Sequence, residues 1–246
     1  MKINGLKNKM VGEIFNLPED WNKAGSVSNK VLKAILKHCS NSGSLEHSIE
    51  TGAGKTTLLF SHISKHHLVF SVDPYDHHSV STVKTSALLN GNCVQFVSGP
   101  TQKTLPTFHF SFKVQAALID GPHAWPFPDM EYYYIYQILD QGAVLIVDDI
   151  HIPSISRMYN IIKADEMFRL LEVEGNTAFF QRTDRPMFDP LADGWWLQGY
   201  NKPLWDEMMK EKAQRSAQFQ ALADRFPAPL KRFIPSALKQ AFWKRM

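Results

Sequence analysis

The stretch from Leu45 to Asp73, LEHSIETGAGKTTLLFSHISKHHLVFSVD, constrains the fold more than any other part of the chain. Leu45 to Glu50 reads as a strand, Gly52-Ala53-Gly54 as a turn, Thr56 to His66 as a helix, and Leu68 to Val72 as a second strand ending at Asp73. That order is the β-α-β unit of a Rossmann-like α/β domain. The glycines permit a tight turn and let a ligand approach the backbone closely, while free N–H groups at the helix start favour an electron-rich partner. Asp73, 23 residues beyond Glu50, is placed to accept hydrogen bonds from a ribose diol. A negative charge there suits hydroxyls better than a phosphate.

Spacing then separates the ligands such a unit can take. A Walker A loop needs a glycine where Ile49 stands, and a dinucleotide fingerprint needs a third glycine where Thr57 stands. What remains is acidic-x-Gly-x-Gly from Glu50 to Gly54, and in this the sequence resembles the class I S-adenosylmethionine-dependent methyltransferases. NAD-dependent oxidoreduction and a non-enzymatic nucleotide-binding or scaffold role on the same fold are the competing readings.

The rest of the chain supplies the strands of such a sheet. Cys93 to Val97, Val114 to Ile119 and Ala143 to Val147 read as further strands, the last of them an apolar AVLIV run ending in Asp148-Asp149. The carboxyl ends of these strands gather at one edge, where open α/β sheets bind ligands. Asp120 and Asp148, 28 residues apart, are brought together there by one crossover. Their like charges are costly at close range unless a cation, a proton or hydrogen bonds compensate. Leu170 to Val173 and Thr177 to Gln181 read as a hairpin across Gly175-Asn176. The segment DGPHAWPFPDMEYYYIYQILDQGAVLIVDDIHIP sharpens the resemblance, being similar to the catechol and caffeoyl-coenzyme-A O-methyltransferase branch. Pro122-His123 departs from that branch's usual pattern.

That resemblance implies a mostly parallel seven-stranded sheet with an antiparallel last strand and flanking helices. It implies that the donor, S-adenosyl-L-methionine, is held by Glu50, Gly52, Gly54, Asp73 and Asp120, with its adenine near Gly99, Thr101 and Gln102. It implies Mg2+ on Asp120, Asp148 and Asp149, and a small-molecule hydroxyl as acceptor. Asp148 and His151 are the catalytic candidates, with His151 as the base if no metal takes part and His123 as a second candidate base.

Composition agrees with such a domain. The 246 residues are 44% hydrophobic and 21% charged, enough to bury one sizeable core with an appendage. No apolar run reaches the length of a membrane span, and the first residues, MKINGLKNKM, lack the apolar centre of a secretion signal. Cys39 and Cys93 are too few for a disulfide scaffold, so the expected compartment is the cytoplasm. His62, His66 and His67 lack an acidic or cysteine partner to complete a metal set, and read as surface or helix-end residues.

Three segments follow: 1–42 as an N-terminal helical cap or lid, with Ser26 as a helix cap; 43–200 as the donor-binding core; and 201–246 as a helical, basic extension. Trp195-Trp196 reads as a structural plug, with a substrate-side wall as the alternative. Residues 226–246 combine five cations with apolar residues and no acid. Packing within the chain or in a homo-oligomer is the expectation for them, with peripheral attachment to an anionic membrane as the alternative. The segment after the loop around Pro126 and Pro128 reads as an aromatic-rich helix to about Leu139, and it lacks an interleaved basic patch, so no specific nucleic acid partner is expected.

Overall fold

The computed structural model describes residues 5–18, 20–22, 27–40, 44–72, 79–187 and 193–225. The chain forms two compact units, Met1–Met187 and Phe188–Met246. In the first, the elements run α1 (Gly5–Phe15), α2 (Asn29–Cys39), β1 (Leu45–Thr51), α3 (Lys55–Ile63), β2 (Ser64–Ser71), α4 (Ser79–Thr85), β3 (Val94–Ser98), α5 (Thr101–Thr104), β4 (Val114–Ile119), α6 (Phe127–Tyr136), β5 (Leu139–Val147), α7 (Pro153–Ala164), β6 (Phe168–Glu174) and β7 (Thr177–Arg182).

The strands form one seven-stranded sheet in the order β3-β2-β1-β4-β5-β7-β6. From β3 to β5 every pairing is parallel, while β7 runs antiparallel to both β5 and β6. The two-residue turn at Gly175-Asn176 joins β6 to β7, with Glu174 opposite Thr177. This is the doubly wound sheet expected from the sequence, with its antiparallel last strand. The strand order reverses between β1 and β4, which opens a crevice above their carboxyl ends.

Side-chain alternation explains the layers. Ala116 and Leu118 of β4 enter a core with Val144 and Ile146 of β5 and with Val31, Leu32 and Ile35 of α2. Ala117 and Ile119 alternate to the opposite side, where α6 packs on β4 and α7 on β6. All residues of α3 are buried, its polar first turn included. The Ser28 hydroxyl caps α2 by accepting from Val31 N at 3.4 Å, whereas Ser26 lies outside the described residues.

Two sequence expectations change. The helix after the glycine turn ends at Ile63 and β2 starts at Ser64, so His66 and His67 are strand residues. His67 is fully buried, because the parallel register sets it beside Ser48 in the centre of the sheet. In the second unit, Trp195 and Trp196 form an exposed single turn rather than a plug, and Trp195 meets Trp205 edge-on. Trp205 belongs to α8 (Asn201–Asp224), a long, exposed, mostly polar helix. Among the described residues, no helix is long and apolar enough to cross a membrane.

Candidate active site

The glycine turn follows directly from the end of β1. Gly52 N still donates to Phe70 O at 3.0 Å, so the turn is anchored to β2. Gly52 has φ 90°, and a Cβ there would overlap the Asp120 carbonyl oxygen. The turn after β1 and the loop after β4 are therefore in contact through a position only glycine fits. Thr51 reinforces this contact, since its hydroxyl accepts from Asp120 N at 3.0 Å and donates to Glu131 Oε2 at 2.8 Å.

Beneath the turn, Glu50 is almost fully buried, and both its carboxylate oxygens are used inside the protein. Thr56 donates to Oε2 at 2.7 Å, Thr57 donates to Oε1, and His67 Nε2 lies 3.1 Å from Oε1. A carboxylate only accepts, so His67 Nε2 carries the proton in that bond. The other ring nitrogen meets Ser48 Oγ at 2.7 Å, which in turn meets Ser64 Oγ at 2.6 Å. Thr57 Oγ1 also accepts from Gly54 N at 3.0 Å. Thr57, which breaks the dinucleotide fingerprint, thus ties the turn to Glu50.

Above the turn lies a cavity of about 640 Å³, a size suited to a small molecule. Of the donor-binding candidates, Gly52, Gly54, Thr101, Gln102 and Asp120 line it, while Glu50 and Gly99 do not. Asp73 lies outside the described residues. Asn22, Lys55 and Ser79 also line the cavity and were not singled out from sequence. Buried polar atoms without partners cluster here: Asn22 Oδ1, Ser79 Oγ and Gln102 Oε1 all belong to lining residues. Such atoms are costly unless a ligand or water satisfies them. A polar ligand of nucleoside size with hydrogen-bonding groups at several points fits this lining, whose apolar members include Phe70, Val80 and Phe127.

At the β4 and β5 side the structure groups Asp120, His123 and Asp149, with one ligand atom from each within 4.8 Å of the others. His123 Nε2 is 3.3 Å from Asp149 Oδ2 and 3.8 Å from Asp120 Oδ1. Asp148, expected in this set, is not part of it. Its backbone N–H still bonds Ile119 O at 3.1 Å, and its carboxylate accepts from Thr177 on β7. Asp149 adopts φ 54°, the left-handed region, and breaks the strand geometry directly after Asp148. His123 therefore stands where Asp148 was expected. His151 Nδ1 is 3.6 Å from Asp149 Oδ1, but His151 is mostly exposed and does not line the cavity.

Burial dominates the charges at this edge. A third of the Asp120 side chain opens to the cavity, yet its carboxyl is pushed up to about 7, chiefly by burial, with His123 opposing and Asp148 and Asp149 adding. The nearby Asp120 holds the His123 imidazole above its ordinary value, against partial burial. Asp148 is likewise raised by burial, opposed by the Thr177 hydroxyl. Behind the Asp120 loop, Glu131 is fully buried, and a Cβ on Gly121 would overlap its carboxyl. Burial lifts Glu131 to about 7, with Thr101 and Thr51 opposing. Thr101 is close enough to favour the charged carboxyl, but Thr101 Oγ1 and Glu131 Oε1 lie outside hydrogen-bonding geometry.

Two carboxylates and an imidazole can hold a divalent cation. Mg2+ prefers an all-oxygen set, whereas the imidazole suits the first-row transition ions. Asp129 sits in the first turn of α6 and pairs with Arg157 at 2.8 Å. The roles of His67, Asn22 and Glu131 were not read from the sequence. Their signal is long-range register and burial, which local spacing does not carry.

Residues 49–150 match the model of a methyltransferase-domain family. No curated protein matches the chain. Among solved structures, the chain is similar to an O-methyltransferase from Bacillus cereus in complex with S-adenosylhomocysteine, at 17% identity and TM-score 0.51 over 71% of this chain and 91% of that one. It is similar to the O-methyltransferase TomG from Streptomyces achromogenes, solved with S-adenosylmethionine, at 13% identity and TM-score 0.51 over 74% and 91%. A caffeoyl-coenzyme-A O-methyltransferase candidate from Staphylococcus aureus gives 12% identity and TM-score 0.52 over 74% and 92%. These likenesses establish the fold.

Proposed function

We propose that this chain, a class I methyltransferase by its fold and by its matched domain over residues 49–150, transfers the methyl group of S-adenosylmethionine to a hydroxyl oxygen of a small molecule. The observation that carries the reading is that one cavity is lined both by the glycine turn after β1 and by Asp120 and His123 after β4. Donor and acceptor chemistry thereby share one space.

When bound, S-adenosylmethionine supplies a methyl carbon made electrophilic by its sulfonium. Gly52 and Gly54 present bare backbone to the cavity against which the donor would lie, and Thr101 and Gln102 offer polar contacts to its ring. An acceptor oxygen must face the methyl carbon on the side away from sulfur and must lose its proton. Asp120, Asp149 and His123 are the residues that would hold a divalent cation, which supplies Lewis acidity and lowers the acceptor's pKa. If no cation takes part, His123 is better placed than His151 to take the proton, because it lines the cavity and is flanked by two carboxylates. The two unpaired cysteines, Cys39 and Cys93, fit a reducing, cytoplasmic setting.

Calorimetry with S-adenosylhomocysteine tests the donor: saturable binding is expected, and selective NAD binding with no response to it would sink the reading. Turnover of a hydroxyl acceptor after chelation separates the two proton routes. A metal-free preparation with unchanged rate removes the cation and leaves His123, whereas a lost rate restored by Mg2+ or Mn2+ supports it.

A further inference from the structure

Three segments that line the cavity meet behind it at one side chain that does not. Glu131, in the second turn of α6, is fully buried and takes no part in the lining. Its Oε2 accepts from the Thr51 hydroxyl at 2.8 Å, and that hydroxyl accepts from Asp120 N at 3.0 Å. A hydroxyl has one proton, so the relay has one direction: Asp120 N–H to Thr51, and Thr51 O–H to Glu131. On its other flank the carboxyl fills the place of a side chain on Gly121, since a Cβ there would overlap both Oε1 and Oε2. Thr101, the first residue of α5, is close enough to act on the same carboxyl. Thr101 Oγ1 and Glu131 Oε1 are both buried without a hydrogen-bond partner.

These contacts reach the end of β1 beside Gly52, the Asp120-Gly121 loop that leads to His123, and the start of α5 beside Gln102. The sheet alone does not set all three against one another. The strand that leads into α5 is β3, which is separated from β1 by β2 and lies still farther from β4. Instead α5 packs on α6, and α6 packs on β4. Burial favours the neutral form of the carboxyl. With Oε2 engaged by Thr51, Oε1 is the place for the proton, and an O–H there is a donor for Thr101 Oγ1. One proton then answers both orphan oxygens.

We propose that Glu131 is a positioning residue for the cavity: from behind its wall the carboxyl sets the glycine turn, the Asp120 loop and the start of α5 against one another, so that ligand affinity depends on a side chain outside the lining. The choice of S-adenosylhomocysteine as probe rests on the donor reading given above. The positioning role does not.

The test compares Glu131→Gln and Glu131→Met with the parent, on the full chain, by calorimetry with S-adenosylhomocysteine and by hydrogen exchange read with mass spectrometry. Glutamine keeps an acceptor for Thr51 and a donor for Thr101, whereas methionine has similar length but offers neither. The glutamine variant is expected to bind within about threefold of the parent and the methionine variant about tenfold or more weakly, as for loss of a buried hydrogen bond. In the methionine variant exchange should rise in the segments around Thr101 and Asp120 and stay at the parent's level in β6 and β7. A general loss of stability would raise exchange in those strands as well. If methionine unfolds the chain, Thr51→Val carries the same two measurements, because it cuts the relay to Asp120 N and leaves Glu131 in place. Affinity and exchange unchanged by the methionine or valine substitution overturn the role, as does a glutamine variant as weak as the methionine one. A parent chain that does not bind S-adenosylhomocysteine overturns the donor reading, and the exchange pattern then decides on Glu131 by itself.

Discussion

Glu131 shows how one side chain can set the pH response of the site. Its carboxyl is raised from 4.5 to about 7, chiefly by burial. The native state therefore holds this proton more tightly than the unfolded chain does. The resulting stabilisation is complete below about pH 4.5 and is lost as pH rises through about 7. At about 1.4 kcal/mol per unit, the swing is on the order of 3 kcal/mol. Glu131→Gln keeps an acceptor for Thr51, presents an NH2 group to Thr101 and cannot ionise. Urea unfolding should find the variant more stable than the parent at pH 8 and the advantage gone at pH 5. A difference independent of pH would show that Glu131 does not titrate as its burial implies. Asp120, also raised to about 7, remains in both proteins, and its charge is one of the lesser causes that raise Glu131.

Among the elements, β1 and α3 act as a pair joined by Glu50. The Thr56 and Thr57 hydroxyls and His67 Nε2 all point donors at its two oxygens. Glu50→Gln replaces one acceptor with a donor that faces Thr or His donors, leaving a buried mismatch. A loss of roughly 2 kcal/mol in unfolding free energy is expected, with weaker S-adenosylhomocysteine binding because the turn loses its support. Unchanged stability would show that the network contributes nothing net. Part of this was legible in advance. The acidic-x-Gly-x-Gly spacing located the turn and both strands, but it placed Glu50 on the ligand, whereas register with β2 commits its carboxylate to α3 and His67. The same limit applies to Asp148 and Asp149. Adjacent acidic residues are equivalent in a sequence, and only the left-handed turn at Asp149 separates them.

For the whole molecule, the sheet, the cavity and the acidic cluster all lie within Met1–Met187. Among the described residues, the buried hydrophobic side chains all lie in a chain ending at Met187. It should unfold cooperatively and bind S-adenosylhomocysteine within a few-fold of the full chain. Residues 226–246, which combine positive charge with apolar residues, lie outside the described residues. We expect them to supply an intramolecular or subunit interface. Their removal should change oligomeric mass or expose apolar surface without altering liposome binding. Binding to anionic vesicles that disappears on truncation, with mass and melting unchanged, would favour the membrane alternative instead.

The seven-stranded sheet with its antiparallel last strand was implied by the family resemblance; by itself the sequence determined the β-α-β unit, the glycine turn at the carboxyl end of β1 and the Gly175-Asn176 hairpin. These follow from local pattern: apolar strand runs, glycine spacing and the Gly175-Asn176 hairpin act over a few residues and leave their mark in order. Only the tertiary structure decided which polar groups face the cavity. Asn22, Thr101, Asp120 and His123 meet there from segments far apart in the chain, and Glu50 and Asp148 are drawn away by donors on neighbouring elements. The reason is that a side chain's partner is chosen by strand register and loop conformation, and both are fixed only when the whole core packs.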